Sequence, residues 1–293
     1  MTEFELVPTF GHRLATAMET FSPLCLGLDP HPGLLKDWGL DDNVTGLSAF
    51  AKTVVEAGTG HVGILKPQVA LFERFGAAGL AVLEQVIAEA KAAGMIVIND
   101  AKRGDIGSTM DAYAEAWLAD GSPLAGDAVT LSPYLGFESL RPAINLAEQT
   151  HRGVFILALT SNPEGASVQH LGDRDGKGSV ASAIVKATED ENDYFMSSLM
   201  EPARLGPVGL VVGATVAQQA KDLGIDLARS RAALLAPGLG AQGATVQDLR
   251  NGFAEAYPQV VPNSSRGILR AGPNRTALVE AIKTVTAQLQ EGA

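Results

Sequence analysis

A (β/α)8 barrel, the TIM barrel, built as a single domain over residues 1–293, is the fold predicted by three observations. Short runs rich in Val, Ile and Leu alternate with helix-periodic stretches, eight such pairs follow in order, and charged or polar residues stand where the apolar runs end. Strands of a parallel sheet are covered on both faces and so read as near-continuous apolar runs, and the active site of this fold is built at their C-terminal ends.

The elements run as follows. LCLGLD (24–29) is the first strand, closed by Asp29, and HVGILKP (61–67) is the second, closed by Lys66. MIVINDA (95–101) is the third and runs into Asp100, Lys102, Arg103 and Asp105. DAVTLSP (127–133) and VFILALT (154–160) are the fourth and fifth, the latter followed by Ser161. VGLVVG (208–213), AALLAPG (232–238) and QVVPNSS (259–265) complete the set. Between strands, Leu83, Val86, Ile87 and Ala90 form one helical stripe ending before Gly94, a residue suited to a C-terminal cap. Leu278, Ile282, Val285 and Leu289 repeat the pattern near the C-terminus. A polar, Gly-rich excursion, SNPEGASVQHLGDRDGKGS (161–179), reads either as a surface loop or as a lid, and a helical stretch follows over 180–205.

Composition narrows the function. A length of 293 residues is compatible with one barrel domain, and a net charge of −11 disfavours nucleic acid and anionic membrane, both polyanions. The single cysteine, Cys25, allows no intrachain disulfide and fits a reducing compartment. Five scattered histidines lack metal-ligand spacing and read as surface or packing residues, so no metal is expected. No apolar run approaches membrane-spanning length, and the expected location is the cytoplasm.

On the third strand, period-two alternation puts Asp100 and Lys102 on one face, about 7 Å apart along the chain. A salt bridge sealing the barrel explains one pair, with Asp105 or Ser108 capping the next helix and Ser108–Asp111 at capping-box spacing. It does not explain Lys66, Asp100, Lys102 and Asp105 together, beside Asp29. A lysine flanked by carboxylates stays protonated, because an opposite charge at ~4 Å contributes about 4 kcal/mol at an effective dielectric near 20. Such an array suits decarboxylation: a carboxylate disfavours the substrate's own carboxylate, and the ammonium protonates the carbanion left behind. APGLGAQG (236–243) and SSRGIL (264–269) follow strands seven and eight, where many barrels bind phosphate, with Arg266 as cation and Gln242 as amide donor. Gly238, Gly240 and Gly243 also spell a dinucleotide fingerprint, but only 50 residues follow Gly243, too few for the fold that motif requires.

Asp100-x-Lys102-x-x-Asp105 continued as DIGST, with LGLDP (26–30), ILKPQ (64–68), LTSNP (159–163), PGLGAQG and SSRGIL, resembles the orotidine 5'-phosphate decarboxylase family in its longer branch. The resemblance implies conversion of orotidine 5'-monophosphate to UMP with no cofactor. It implies Lys102 as proton donor to C6, Asp100 against the departing carboxylate, and Lys66 and Asp29 on the ribose. Ser161 would meet the pyrimidine edge, and Gln242, Arg266 and the backbone at Gly240 the 5'-phosphate. It further implies a homodimer with shared active sites, Asp105 and Thr109 reaching into the partner's site. Three alternatives stand beside it. Mg2+-dependent sugar-phosphate decarboxylases and aldolases share the Asp-x-Lys-x-x-Asp signature but would want an acidic ligand at the end of strand two, where this chain has Lys66. The others are a non-catalytic phosphate-binding barrel and a dinucleotide enzyme.

Overall fold

Eight parallel strands close on themselves in sequence order, β1 pairing with both β2 and β8. The computed structural model describes residues 7–172, 178–199, 203–240 and 243–291. The strands are β1 Cys25–Leu28, β2 Ile64–Pro67, β3 Ile96–Arg103, β4 Ala128–Leu131, β5 Gly153–Leu159, β6 Val208–Val212, β7 Leu234–Pro237 and β8 Val260–Ser264. Each falls within or beside a run read from the sequence. Their residues are almost all buried, as a sheet covered by helices outside and side chains inside requires.

Both predicted helical stripes are present. The helix Gly76–Ala92 buries Leu83, Val86, Ile87 and Ala90. It ends where Gly94, at φ +81°, lets its own N–H reach Lys91 O and the Met95 N–H reach Ala90 O. The helix Arg275–Gln290 buries Leu278, Ile282 and Leu289, with Val285 half-buried at the stripe's edge. The stretch after the excursion is helical over Val180–Ser197.

A helix, Phe10–Thr20, precedes β1 and stands outside the βα alternation. Its Phe10, Leu14 and Met18 join Ile64, Ile98, Phe155 and other inward-facing strand residues in one buried cluster. Phe10 meets Phe155 edge to face, ring centroids 6.1 Å apart. The helix therefore stops one end of the barrel with apolar side chains, so polar chemistry is confined to the other. No described helix is long and apolar enough to cross a membrane.

Candidate active site

The polar strand ends meet in one cavity of about 360 Å³ at the C-terminal mouth of the barrel. Of the residues expected there, Asp29, Lys66, Asp100, Lys102, Ser161 and Arg266 all line it. At its centre Asp100 is shared between two lysines: Lys66 Nζ lies 3.0 Å from Oδ2 and Lys102 Nζ 2.5 Å from Oδ1. The Lys66 side chain is 3% exposed and that of Lys102 45%, so one ammonium is fixed in the protein and the other faces the cavity.

Electrostatics keep this array charged. Burial alone would push Lys66 towards its neutral form, but Asp100, with Asp29 adding to it, outweighs burial and holds the ammonium above the ordinary lysine value. Burial would likewise favour a protonated Asp100; Lys66 and Lys102 overcome it and hold the carboxyl well below the usual carboxylate range. Asp29 Oδ1 is buried with no hydrogen-bond partner among the described residues, an acceptor left for a ligand hydroxyl. Cys25 lies beneath the array; burial pushes its thiol up to about 12, so it is a neutral packing residue.

Asp100 and Lys102 converge, but not by simple pleating. The β3–β4 register shifts between Asn99 and Arg103, and Lys102 adopts φ +49°. A left-handed conformation costs a non-glycine residue roughly 1–2 kcal/mol, and here it bends the strand end so that Lys102 turns back onto Asp100. The next helix, Gly107–Leu118, follows without a side-chain cap. Its N-terminal flanking residue is Ile106, so neither Asp105 nor Ser108 has the capping role their spacing suggested. Asp105 instead accepts the Ile106 N–H at 2.8 Å.

Asp105 and Thr109 do not line the cavity of their own chain. Arg266 stands at the rim, exposed, with no ion-pair partner among the described residues. Gly240 lines an adjoining cavity with Ser264 and Gly267 rather than this one, because its N–H turns to Ala244 O at 2.9 Å. Gln242 lies outside the described residues, as do 173–177 of the excursion. The described part of the excursion folds back on the end of β5. Gln169 accepts the Thr160 N–H at 2.9 Å and donates to Thr160 Oγ1 at 2.7 Å, and Thr160 Oγ1 donates to Asn162 Oδ1 at 2.7 Å. Thr160, Ser161 and Asn162 all line the cavity, so this latch fixes one of its walls.

Several lining residues went unassigned in the sequence. Gln68, two positions past Lys66, approaches its ammonium at 3.4 Å, and strand alternation from Lys66 would have pointed to it. Asn263 is a buried amide inside apolar β8 that donates to Cys25 O at 3.0 Å. His31, read as a surface or packing residue, is exposed and borders the cavity. Ser265 sits so close to β1 that a Cβ on Gly27 would stand 1.8 Å from its Oγ.

The sequence matches the orotidine 5'-phosphate decarboxylase / HUMPS family over residues 22–282. The chain belongs to that family. It is 54% identical over 270 residues to an orotidine 5'-phosphate decarboxylase of Streptomyces coelicolor, covering 92% of each chain. It is 52% identical over 280 residues to one of Salinispora tropica, covering 95% of this chain and 96% of the other. Among solved structures, one from Streptomyces avermitilis superposes with a TM-score of 0.90 at 50% identity, covering 99% of this chain and 98% of that one. The Leishmania donovani OMP decarboxylase superposes at 0.73 with 30% identity, covering 97% and 100%.

Proposed function

We propose that the protein decarboxylates orotidine 5'-monophosphate to UMP in this cavity. The observation that carries the reading is the Lys66–Asp100–Lys102 array, charged on both sides of one buried carboxylate and lining the cavity, with Lys102 its most exposed member. The substrate's C6 carboxylate, seated beside Asp100, is repelled by a like charge, and that repulsion is relieved when the C6–carboxylate bond breaks, CO2 leaves neutral and the electron pair stays on C6. The electron pair left on C6 takes a proton from Lys102 Nζ, and the neutral amine regains one from solvent. An ammonium already held where negative charge develops needs no reorganisation at the moment of reaction.

The remaining roles are those the family resemblance implies, and the site supports part of them. Asp29, with an unpartnered buried oxygen, and Lys66 take the ribose hydroxyls. Ser161, on the wall latched by Gln169, takes the pyrimidine edge. Arg266, with Gln242 and the backbone near Gly240, takes the 5'-phosphate, whose remote binding energy orients the base. A Mg2+-dependent sugar-phosphate reaction is disfavoured by the end of β2, where an ammonium 3.0 Å from Asp100 stands in place of an acidic ligand.

We further assign Asp105 and Thr109 to the active site of a second copy of the chain in a homodimer. They sit outside their own cavity, on the segment after β3 that carries Ile106, 62% exposed. The segment after β4 adds Tyr134 at 80% and Leu135 at 54%, and the Ser132 N–H bound to Arg103 O joins the two segments. Large apolar side chains gathered beside unassigned polar groups fit an interface. The reading as a whole places the protein among cytoplasmic nucleotide enzymes.

The test is direct. Purified protein in excess EDTA is expected to convert orotidine 5'-monophosphate to UMP, followed by pyrimidine ultraviolet absorbance. Turnover that requires added Mg2+, or no turnover at all, overturns the proposal.

A further inference from the structure

Thr130 is fully buried on β4, a lone hydroxyl in an otherwise apolar strand, and it touches no part of the cavity. Its Oγ1 accepts the backbone N–H of Lys102 at 2.9 Å and donates to Asp100 Oδ1 at 3.0 Å. The direction of both bonds is fixed. An amide N–H can only donate and an ionised carboxylate can only accept, so the hydroxyl is committed to both at once. The residue it grips is the one in the left-handed conformation, at φ +49°, where the β3–β4 register breaks. At a regular ladder position the Lys102 N–H would pair with a backbone carbonyl of β4; here a side chain supplies the acceptor.

We propose that Thr130 is a positioning residue: its hydroxyl holds the bend that turns Lys102 onto Asp100 and sets the distance between the ammonium and the carboxylate. This role rests on the function proposed above for those two residues. Strained backbone persists only where its surroundings over-determine it, and Thr130 is the group that does so from the neighbouring strand. The hydroxyl also occupies a second site on Asp100 Oδ1, beside Lys102 Nζ at 2.5 Å. It therefore steers the carboxylate as well as the backbone. Without it, Lys102 can relax towards an ordinary strand conformation and carry its ammonium away from the reacting carbon. A misplacement near 1 Å costs on the order of a hundredfold in rate.

Thr130→Val keeps the β-branched shape and deletes only the hydroxyl; Thr130→Ser keeps the hydroxyl. The Val variant is expected to lose about 10- to 100-fold in kcat with KM and UMP affinity changed less than about threefold, while the Ser variant keeps most of the wild-type kcat. Amide hydrogen exchange at Lys102, read by mass spectrometry, is expected to speed up in the Val variant and stay slow in the Ser variant. Thr130→Ala repeats the comparison if the Val variant does not fold. A Val variant with wild-type kcat, or a Ser variant as impaired as Val, overturns the proposal. The exchange measurement separates it from the functional reading: faster exchange in a protein without decarboxylase activity keeps the positioning role and sinks the function, whereas unchanged exchange sinks the positioning role whatever the activity.

Discussion

Asp100→Asn, a change of one charge with almost no change of shape, tests whether the buried array is held together as the electrostatics require. In the wild type, Lys66 Nζ and Asp100 Oδ2 lie 3.0 Å apart with the lysine side chain 3% exposed. At an effective dielectric near 20 their attraction is about 5 kcal/mol. Lys102, 45% exposed, adds at most about 1 kcal/mol because water screens it. Removing one member of a buried pair strands the other, so the expected loss is about 3–5 kcal/mol, a fall in Tm on the order of 10 °C. Between pH 6 and 10, where these groups leave wild-type stability flat, the variant should acquire a pH dependence. Wild-type Lys66 is raised above the ordinary lysine value of 10.5, so its contribution is complete below that pH and is lost as pH rises beyond it. Asp100 is lowered, so its contribution is present above about pH 4 and lost only on acidification. In the variant the burial remains, the larger countercharge is gone and only Asp29 still opposes burial, so Lys66 is expected to drop below 10.5. The unfolded chain then binds more protons than the native one, and stability rises with pH up to that value. Urea denaturation at pH 6, 7.5, 9 and 10 measures both effects. A variant within about 1 kcal/mol of the wild type, or one whose stability does not rise with pH, refutes this account of the array.

Three further outcomes are expected. Mixing inactive Lys102→Ala with inactive Asp105→Ala under subunit exchange should restore roughly a quarter of wild-type turnover, since half the dimers are mixed and each has one intact site; no recovery despite confirmed exchange removes Asp105 from the partner's site. Gln169→Ala breaks both bonds to Thr160 and should raise KM about tenfold with Tm nearly unchanged, checked by steady-state kinetics and thermal melts. Gly27→Ala drives a Cβ into Ser265, next to Arg266, and should weaken UMP binding measured by calorimetry, whereas Gly33→Ala, where a Cβ meets nothing within 4 Å, should not.

The strands were legible because a buried parallel sheet needs apolar residues at nearly every position, and that constraint is local. Lys66, Asp100 and Asp29 were legible for the same reason: a charge closing an apolar run stands out. The convergence of Lys102 on Asp100 was foreseen, but its cause lies elsewhere. Pleating alone would leave the two side chains parallel, and what joins them is a bend maintained by Thr130, about thirty residues away in the chain. Asn263 and the Gln169–Thr160 latch went unread because neutral polar residues stand out less than charges and reach the site through tertiary contacts, whereas Gln68, two positions past Lys66, was readable by strand alternation. The helix Phe10–Thr20 was missed because its apolar face is explained only once the open end of a barrel is there to receive it.

The proposed reaction turns on the Lys102 ammonium delivering the proton that completes decarboxylation. Kinetics and UMP binding of Lys102→Ala, measured side by side with the wild type in EDTA, test it most directly. A loss in kcat of at least about 10²–10⁴-fold is expected, with UMP affinity within about tenfold of the wild type. A variant that keeps its turnover, or loses it only in step with its affinity for UMP, rules Lys102 out as the proton donor.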